Sequence, residues 1–172
     1  MPATIAQQDK INLDRSSAEM TIGIADPEDD AAIRSLLRST VMPGRISVSF
    51  CREPSFFEAA AVEGNDMQVV VARHPQDGIV GMGCYSVKDI FINGAPQRIA
   101  YLSGLRGDTK HRSFRLLSKV FGLLGNVHHT SGASFCVTSI VSDNTRARKI
   151  LESGVGRLPC YQQYGNYLTL VL

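Results

Sequence analysis

Tryptophan is absent from the 172-residue sequence, and aromatic residues of all kinds make up only 7% of it. Charge of neither sign is in excess: the chain has 18 basic and 16 acidic side chains, which gives a formal net charge of +2. Without a strong positive field, or basic residues interleaved with aromatic ones, nucleic acid is not an expected partner. No stretch approaches the roughly 18 apolar residues that cross a bilayer, and the N-terminal residues lack the apolar core of a signal peptide. We therefore expect a soluble, cytoplasmic protein with no membrane partner.

Cysteines are few and widely spaced. They form no Cys-x-x-Cys pair, and no histidine lies at the spacing of a zinc motif; the four are Cys51, Cys84, Cys136 and Cys160. This pattern indicates neither a dense disulfide framework nor a zinc site. The sequence therefore predicts free thiols in a reducing compartment and no bound metal.

Length and hydrophobic content set the number of domains. With 172 residues, 44% of them hydrophobic, the chain can bury one substantial core but is too short to suggest two. Residues 1–19 are polar and aperiodic, so they are predicted to form a disordered tail, with Met20 as an alternative natural start. The sequence thus predicts a single domain over residues 20–172.

The most informative stretch runs from Tyr101 to Asn126, YLSGLRGDTKHRSFRLLSKVFGLLGN. Its apolar spacing predicts a buried strand, YLSGLR, then a tight turn, GDTKHR, then a helix, SFRLLSKVFGLL. The first N–H groups of a helix have no partners inside the helix, and their partial positive charge attracts anions. The turn before this helix is therefore a predicted phosphate site. Gly104, inside the strand, indicates a bulge or a close backbone approach, and a bulge would free main-chain groups for a ligand.

The chain before this stretch has alternating strand and helix signals. TIGIA is a predicted strand, and the helix after it can be capped by Asp29 or Asp30. Pro54 suits the first turn of a second helix, PSFFEAAAVEG. MQVVVAR and IVGMGCYSV, joined by the turn PQDG, predict an antiparallel hairpin, and Asn93-Gly94 marks a second one.

The chain after this stretch supplies two more predicted strands and one more helix. SFCVTSIV is a predicted strand parallel to YLSGLR, since a strand, helix, strand crossover normally joins parallel strands. Ser142, Asp143 or Asn144 can cap the predicted helix TRARKILES, and Gly154 can end it. The final residues, YLTLVL, alternate as a strand does, and could pair across a homodimer.

Two segments of the chain resemble a known family. Residues 105–112, LRGDTKHR, are similar to the strand end and turn of the GCN5-related N-acetyltransferases (GNAT), and Asn144, Ala147 and Gly154 match that family's Asn-x-x-Ala segment and the turn after it. The resemblance implies an α/β (α+β) fold: a mixed sheet, mostly antiparallel with a central parallel pair, and helices on both faces. It also implies transfer of an acyl group from acetyl-coenzyme A to an amine through a direct ternary complex.

The resemblance implies which residues hold the cosubstrate. The turn and helix start would bind the pyrophosphate, the end of the strand would bind the pantetheine amides, and Asn144 would lie on the thioester side. The full set of implied cofactor-binding residues is Leu105, Arg106, Gly107, Arg112, Ser113, Phe114, Arg115, Leu116, Leu117, Asn144 and Ala147.

The chain departs from the family pattern in the phosphate loop. Where the family has glycines, this chain has Ser113, Arg115 and Leu117. Arg115 can add a phosphate contact in place of close backbone approach, or it can occupy the phosphate site itself. Its replacement by glycine would weaken cosubstrate binding in the first case and strengthen it in the second.

The groups that move protons are less clearly marked. At the position where the family often has a tyrosine that reprotonates the departing thiolate, this chain has Leu151. Tyr161 and Tyr164 are the predicted catalytic replacements. The candidates for the group that accepts the amine's proton are Asp89, Glu58, Glu63 and Asp108.

Three histidines have other predicted roles. Histidine as a residue type can transfer protons near neutral pH, but the place of His111 in the turn GDTKHR favours a structural or phosphate-side role. His128 and His129 fall in a predicted loop before SFCVTSIV. Neighbouring side chains of an extended segment point in opposite directions, so a surface loop is favoured there over a metal site.

The sequence therefore predicts an N-acyltransferase that acts on a small-molecule or peptide amine. Two alternatives stay open. One is a non-catalytic acyl-coenzyme A-binding or regulatory domain of the same fold, which the filled glycine positions and Leu151 would allow. The other is an acyltransferase that takes longer acyl groups or a carrier-protein donor, for which a loop less suited to the nucleotide would matter less.

Overall fold

The computed structural model describes residues 20–42 and 49–166. The predicted N-terminal tail, part of the connection after the first helix, and the predicted final strand YLTLVL lie outside these residues. The strands are β1 (Thr21–Ile24), β2 (Asn65–His74), β3 (Gly78–Ile92), β4 (Ala95–Gly107) and β5 (Cys136–Thr138). The helices are α1 (Asp30–Ser39), α2 (Phe56–Ala60), α3 (Phe114–Ser131) and α4 (Thr145–Glu152), with short 3-10 helices at Pro27–Asp29 and Ala61–Glu63.

The strands of the described chain form one sheet in sequential order, β1-β2-β3-β4-β5. Neighbours are antiparallel except for β4 and β5, which pair in parallel between Ala100↔Cys136 and Leu102↔Thr138. The prediction of a mostly antiparallel sheet with one parallel pair is confirmed. Among the described strands this pair lies at one edge of the sheet.

Both predicted hairpins are confirmed. β2 and β3 are joined by a turn over residues 75–77, which the pair His74↔Gly78 closes. In the turn between β3 and β4, φ is 51° at Asn93 and 79° at Gly94. Positive φ at both positions is the type I′ geometry that the dipeptide Asn-Gly favours, and its twist matches that of the long strands on either side.

Helices cover both faces of the sheet, as predicted. One face packs against α1 and α2, in a cluster formed by Ile33, Leu36, Leu37, Phe56, Ala60, Val69, Val71, Met82 and Cys84. The other face packs against α3 and α4, in a cluster formed by Val70, Tyr85, Val87, Ala100, Val120, Phe121, Leu124, Val127, Leu151 and Leu158. Alternate residues of β2 and β3 enter the two clusters, which is the period-two pattern of a strand covered on both sides.

The 3-10 helix before α1 has its own side-chain cap, which was not predicted. Asp26 caps the preceding 3-10 helix: its Oδ1 accepts the N–H of Glu28 at 3.0 Å, and Asp29 Oδ2 accepts the N–H of Asp26 at 3.0 Å. Asp29 stands at the N-cap position of α1 but makes no side-chain capping bond there. Asp29 is thus the N-cap residue, as predicted, but no side chain caps the helix, because the Asp29 carboxylate binds Asp26 and Arg73 and the Asp30 carboxylate binds α2.

The start of α2 also lies later than predicted. Ser55 is its N-cap, and the Ser55 Oγ accepts the N–H of Glu58 at 3.3 Å. Pro54 therefore precedes the helix and does not occupy its first turn. Gly64 ends the 3-10 helix that follows α2, as predicted for a C-terminal stop.

α3 is longer than predicted, because it runs on to Ser131 and ends at Gly132 with φ 71°. The prediction that His128 and His129 lie in a loop is wrong, since both belong to its last turns. Gly125 favours an earlier end, but Val127 continues the buried face of the helix, and packing outweighs local propensity. The strand SFCVTSIV is correspondingly shorter, with only its central three residues in β5.

None of the helices within the described ranges combines the length and the apolar character that a membrane crossing requires.

Candidate functional site

The pairing of β4 with its two neighbouring strands changes near its C-terminal end. Its pairing with β3 shifts by one residue between Ser103 and Arg106, so β4 carries an extra residue there. Gly104 lies in this bulge with φ 60°, which confirms the predicted bulge. Pairing with β5 stops at Leu102. Within the described residues, the edge of β4 that faces β5 is therefore unpaired beyond Leu102.

The turn from β4 into α3 is fixed to the sheet by hydrogen bonds. The N–H of Asp108 donates to the carbonyl of Val80 at 2.8 Å. The Asp108 carboxylate accepts the N–H of Lys110 at 2.8 Å, and Arg112 Nε donates to the carbonyl of Gly107 at 2.8 Å. The backbone is thus held in place where the strand passes into the helix.

The start of α3 borders an open, cationic cavity. Ser113 is the N-cap, and its Oγ accepts the N–H of Leu116 at 3.1 Å. The cavity has a volume of about 590 Å³ and is lined by Phe114, Arg115, Ser118, Lys119 and Arg157. Three of these residues are cationic and none is acidic, and the helix N-terminus adds its own partial positive charge. The arrangement suits phosphate groups.

Arg157 was not among the predicted cofactor-binding residues. Its N–H donates to Ser118 Oγ at 3.2 Å, which holds the segment after α4 against the first turns of α3. A Cβ at Gly122 would lie 2.9 Å from Arg157 Cδ, so the missing side chain at Gly122 makes room for the arginine. No sequence motif links these positions, because the contact joins residues that are far apart in the chain.

A second opening, of about 350 Å³, lies beside the first. It is lined by Phe114, Lys149, Ile150, Ser153 and Val155, which belong to α3, α4 and the segment after α4. Phe114 lines both openings, so together they form one surface that could hold an elongated ligand. At the start of α4, Asn144 Oδ1 accepts the N–H of Ala147 at 3.2 Å, which confirms Asn144 as the cap.

The predicted cofactor-binding residues are brought together in part. Phe114 and Arg115 line the cationic cavity, whereas the side chains of Leu105, Leu116 and Leu117 pack into the core beneath α3. These leucines can therefore contact a ligand only through their main-chain atoms.

Arg106 lies on the opposite face of the sheet. Its guanidinium carbon is 5.3 Å from the centroid of the Phe50 ring, and burial lowers the pKa of Arg106. Its side chain therefore points away from the cationic cavity, and only its main chain can contact a ligand on the α3 side of the sheet.

The two predicted catalytic tyrosines differ in burial. Tyr164 is fully exposed, whereas Tyr161 is partly buried and packs edge-on against Phe121, with the ring centroids 6.4 Å apart. Tyr161 belongs to the same packed cluster as Leu105 of β4. Burial, with a smaller effect of Cys136, raises the pKa of the Tyr161 hydroxyl, which keeps it protonated at neutral pH. A proton donor needs this property. Leu151, at the family's tyrosine position, is buried in the same cluster.

Glu63 lies beside the bulge, on the face of the sheet that α1 and α2 cover. Its Oε2 accepts the Ser103 hydroxyl at 2.7 Å, and its Oε1 is paired with Arg52. The Glu63 side chain is 20% exposed, so it is partly shielded but still reachable from solvent. Both oxygens are held in defined positions next to the bulged end of β4.

The other three candidate bases lie elsewhere. Glu58 is exposed on α2, and Asp89 Oδ2 is 3.7 Å from Arg98 Nη1 at the far end of the hairpin. The carboxylate of Asp108 is used within the turn. Of the four, Glu63 alone is hydrogen-bonded to a residue next to the bulge.

All four cysteines are free, as predicted. Cys84 is buried under the bulge: a Cβ at Gly104 would lie 2.8 Å from its Sγ. Burial, helped by the charge of Glu63, raises the pKa of Cys84 to about 12. The thiol therefore stays protonated at neutral pH and cannot act as a nucleophile.

Two clusters were missed by the sequence analysis. In the first, the Tyr85 hydroxyl lies 2.9 Å from His128 Nδ1 and 2.6 Å from Ser131 Oγ, while Cys136 Sγ lies 3.4 Å from the same nitrogen. This network ties the end of α3 to β3 and β5. It could not be inferred while His128 was placed in a loop.

The second cluster joins the β2–β3 turn to the turn before α3. His111 is buried, and its Nε2 lies 2.8 Å from Asp77 Oδ2. His74 Nδ1 is 3.3 Å from the same oxygen, and the two imidazole centroids are 4.6 Å apart. Within the described residues, His111 Nδ1 is buried and has no hydrogen-bond partner. A structural role for His111 is consistent with this placement.

The fold is that of the GCN5-related N-acetyltransferases. No protein-family model matches the sequence, and no curated protein matches it. The likeness therefore lies in the structure, and at the low identities involved it establishes the fold alone.

Three solved structures illustrate the likeness. An aminoglycoside acetyltransferase from an uncultured soil metagenomic sample has a TM-score of 0.66 at 16% identity, over 90% of this chain and 97% of that one. A ribosomal-protein-alanine N-acetyltransferase from Brucella melitensis has a TM-score of 0.61 at 14% identity, over 88% and 99%. A transcriptional regulator from Bacillus halodurans has a TM-score of 0.66 at 14% identity, over 89% and 99%.

Proposed function

We propose that this protein is an N-acyltransferase that moves an acetyl or other acyl group from a coenzyme A thioester to an amine within one ternary complex. One arrangement carries the proposal. The bulged end of β4 holds Glu63 on one face of the sheet and leads, through a fixed turn, into the cationic start of α3. A GNAT fold with these features has a place for an acyl donor and a carboxylate for the acceptor.

The donor would be held along α3 and α4. Arg115, Lys119 and Arg157 would bind phosphate oxygens together with the first N–H groups of α3, and Phe114 and Ile150 would contact less polar parts of the molecule. Arg115 lines a cavity that two other cations share, which favours a phosphate contact over occupation of the site. When bound, acetyl-coenzyme A supplies the activated acyl group.

The acceptor would approach from the face that carries Glu63. In this proposal Glu63 accepts a proton from the amine, while Ser103 and Arg52 hold its carboxylate in place. The acceptor is proposed to be a small-molecule or peptide amine. Solved structures of the same fold include an aminoglycoside acetyltransferase and a ribosomal-protein-alanine N-acetyltransferase, which together represent both kinds of acceptor.

The bond changes follow from these positions. The amine nitrogen bonds to the thioester carbon, the carbon–sulfur bond breaks, and the sulfur takes up a proton. Main-chain N–H groups of the β4 bulge, near Gly104, would stabilise the negative charge that develops on the carbonyl oxygen. Tyr161 is proposed to protonate the sulfur, because it is packed near β4 whereas Tyr164 is exposed. Cys84 takes no part, since its thiol remains protonated.

Replacement of Glu63 by glutamine tests the acceptor half of the proposal. Loss of a general base lowers turnover by roughly 100-fold or more, so kcat should fall by that factor in Glu63→Gln. Glu58→Gln, on exposed α2, is the matched control and should keep the parent's rate. The measurement is release of the coenzyme A thiol from acetyl-coenzyme A over a panel of small amines and peptides.

Three outcomes separate the alternatives. Equal rates in the parent and Glu63→Gln would remove Glu63 from the mechanism while leaving the reaction in place. Turnover only with longer acyl groups or a carrier-protein thioester would favour a different donor. Donor binding without turnover across the panel would favour a non-catalytic binding or regulatory domain, which Arg115, Leu117 and Leu151 at the family's motif positions would also permit.

A further inference from the structure

Two imidazoles and one carboxylate converge where the β2–β3 turn meets the turn before α3. One ligand atom from each of His74, Asp77 and His111 lies within 4.8 Å of the other two. Asp77 Oδ2 is 2.8 Å from His111 Nε2 and 3.3 Å from His74 Nδ1. Ligand atoms around a tetrahedral zinc ion, each about 2.0–2.1 Å from the metal, lie about 3.3 Å from one another. The two separations from Asp77 Oδ2 are near that value, and the two histidine ligand atoms lie no more than 4.8 Å apart.

The main chain holds these residues in position. His74 pairs with Gly78 across the hairpin turn. The N–H of His111 donates to the carbonyl of Asp108 at 3.1 Å, and Asp108 in turn donates to Val80 of β3. The side chains therefore meet because two backbone segments are fixed against the same strand.

Hydrogen bonds alone do not satisfy all the contacts of His74 Nδ1. The N–H groups of Gln76 and Asp77 point at His74 Nδ1 from 3.4 and 3.3 Å, and they require a lone pair on that nitrogen. Asp77 Oδ2, at 3.3 Å from the same nitrogen, requires a proton on it. A neutral imidazole cannot meet both demands at one atom. A divalent cation would take the Nδ1 lone pair in place of these two long N–H contacts, and would remove the repulsion between the nitrogen and the carboxylate.

We propose that His74, Asp77 and His111 bind one zinc ion. Two imidazole nitrogens and one carboxylate oxygen suit zinc, whereas magnesium and calcium prefer oxygen ligands alone. Asp77 is 55% exposed, which gives the ion a route in and leaves room for water as a fourth ligand. None of the three residues lines the cationic cavity or contacts Glu63. The ion is structural: it joins the β2–β3 turn to the turn from which α3 begins.

The linear sequence gives little sign of this site. His74 and Asp77 are close in the chain, but His111 is 34 positions from Asp77, so no metal-binding motif is formed. Spacings along the chain alone therefore predict no metal. A histidine flanking a hairpin turn, with an acid within the turn, was the one available signal.

Zinc titration of the purified full chain tests the proposal. Exposed Cys51 and Cys160 are replaced by serine in every variant, because free thiols also bind zinc. After metal removal with a chelator, the chain should bind one zinc ion, and His74→Gln and His111→Gln should each lose it. His129→Gln, an exposed histidine on α3, is the matched control and should bind as the parent does. Cobalt in place of zinc should give visible absorption bands that both cluster variants lack.

Thermal unfolding supplies an independent readout. Zinc at 100-fold above its dissociation constant should raise Tm by roughly 5–10 °C in the parent and leave His74→Gln unchanged. Both histidine side chains are nearly buried, whereas Asp77 is 55% exposed, so loss of zinc binding in Asp77→Asn decides the question if a histidine variant does not fold. Absence of zinc binding by the parent, or undiminished binding by His74→Gln, would overturn the proposal.

Discussion

Two features of the structure require glycine at position 104. Its φ of 60° lies in the left-handed region that other residues rarely adopt. A Cβ there would also lie 2.8 Å from Cys84 Sγ, a distance that requires movement of a buried side chain. The bulge, and with it the open edge of β4, therefore depends on this glycine.

Gly104→Ala should destabilise the protein by about 2–3 kcal/mol, because it adds both backbone strain and a core clash. Gly125→Ala is the control: it lies in α3, a Cβ there meets nothing within 4 Å, and the change should stabilise by about 0.5–1 kcal/mol. Urea unfolding measures both. Equal stability of Gly104→Ala and the parent would mean that the bulge does not constrain this position.

Among the elements, α1 and α2 are joined through one carboxylate. Asp30 Oδ2 accepts the N–H of Phe56 at 2.7 Å and the Ser55 hydroxyl at 3.1 Å, while its Oδ1 is paired with Arg34 at 2.6 Å. Partial burial by itself would raise the pKa of Asp30. The hydrogen bonds from Arg34, Phe56 and Ser55 outweigh this effect, so its pKa lies below the usual value.

The lowered pKa sets the sign of a pH effect. The ionised form of Asp30 is favoured in the folded protein, so its stabilisation is complete above the unfolded pKa of about 3.9 and is lost as pH falls through the lower folded value. Asp30→Asn weakens the hydrogen bonds to the carboxylate, so it should cost about 1 kcal/mol at pH 7, and the difference from the parent should shrink below about pH 4. Urea midpoints across this range measure it. A constant difference at all pH values would show that the charge of Asp30 contributes nothing.

For the individual helices, strands and turns, the sequence correctly predicted the features that depend on residues close together in the chain. Asn93-Gly94 determined a turn, and the spacing of apolar residues identified α1 and the start of α3. The end of α3 was missed, because Gly125 suggests a stop whereas Val127 packs in the core. Asp29 was correctly predicted as a cap of α1, but the absence of a side-chain capping bond was not, because sequence spacing does not show that Asp29 and Asp30 have other partners.

In the whole molecule, some residues of the candidate site are neighbours in the sequence, and their proximity could be predicted. Others meet only in the folded chain, and their contacts could not be predicted. The strand, turn and helix around Gly104 are contiguous, so their role could be predicted from one stretch. The contacts of Glu63 with Ser103 and of Arg157 with Ser118 span 40 and 39 positions. Such contacts follow from the sheet order and from the return of the chain over α3, which local patterns do not encode. The homodimer and the cytoplasmic location stay predictions.

Calorimetric titration with acetyl-coenzyme A is the measurement that most directly tests the proposed donor site. The account predicts micromolar binding, near −8 kcal/mol, that weakens with added salt. Arg115→Ala should weaken it roughly tenfold, because a charge-assisted phosphate contact is lost, and Arg146→Ala on exposed α4 should leave it unchanged. Tighter binding by Arg115→Ala would show that the arginine blocks the site. No binding of acetyl-coenzyme A or of longer acyl-coenzyme A analogues would contradict the account and leave a non-catalytic domain of this fold.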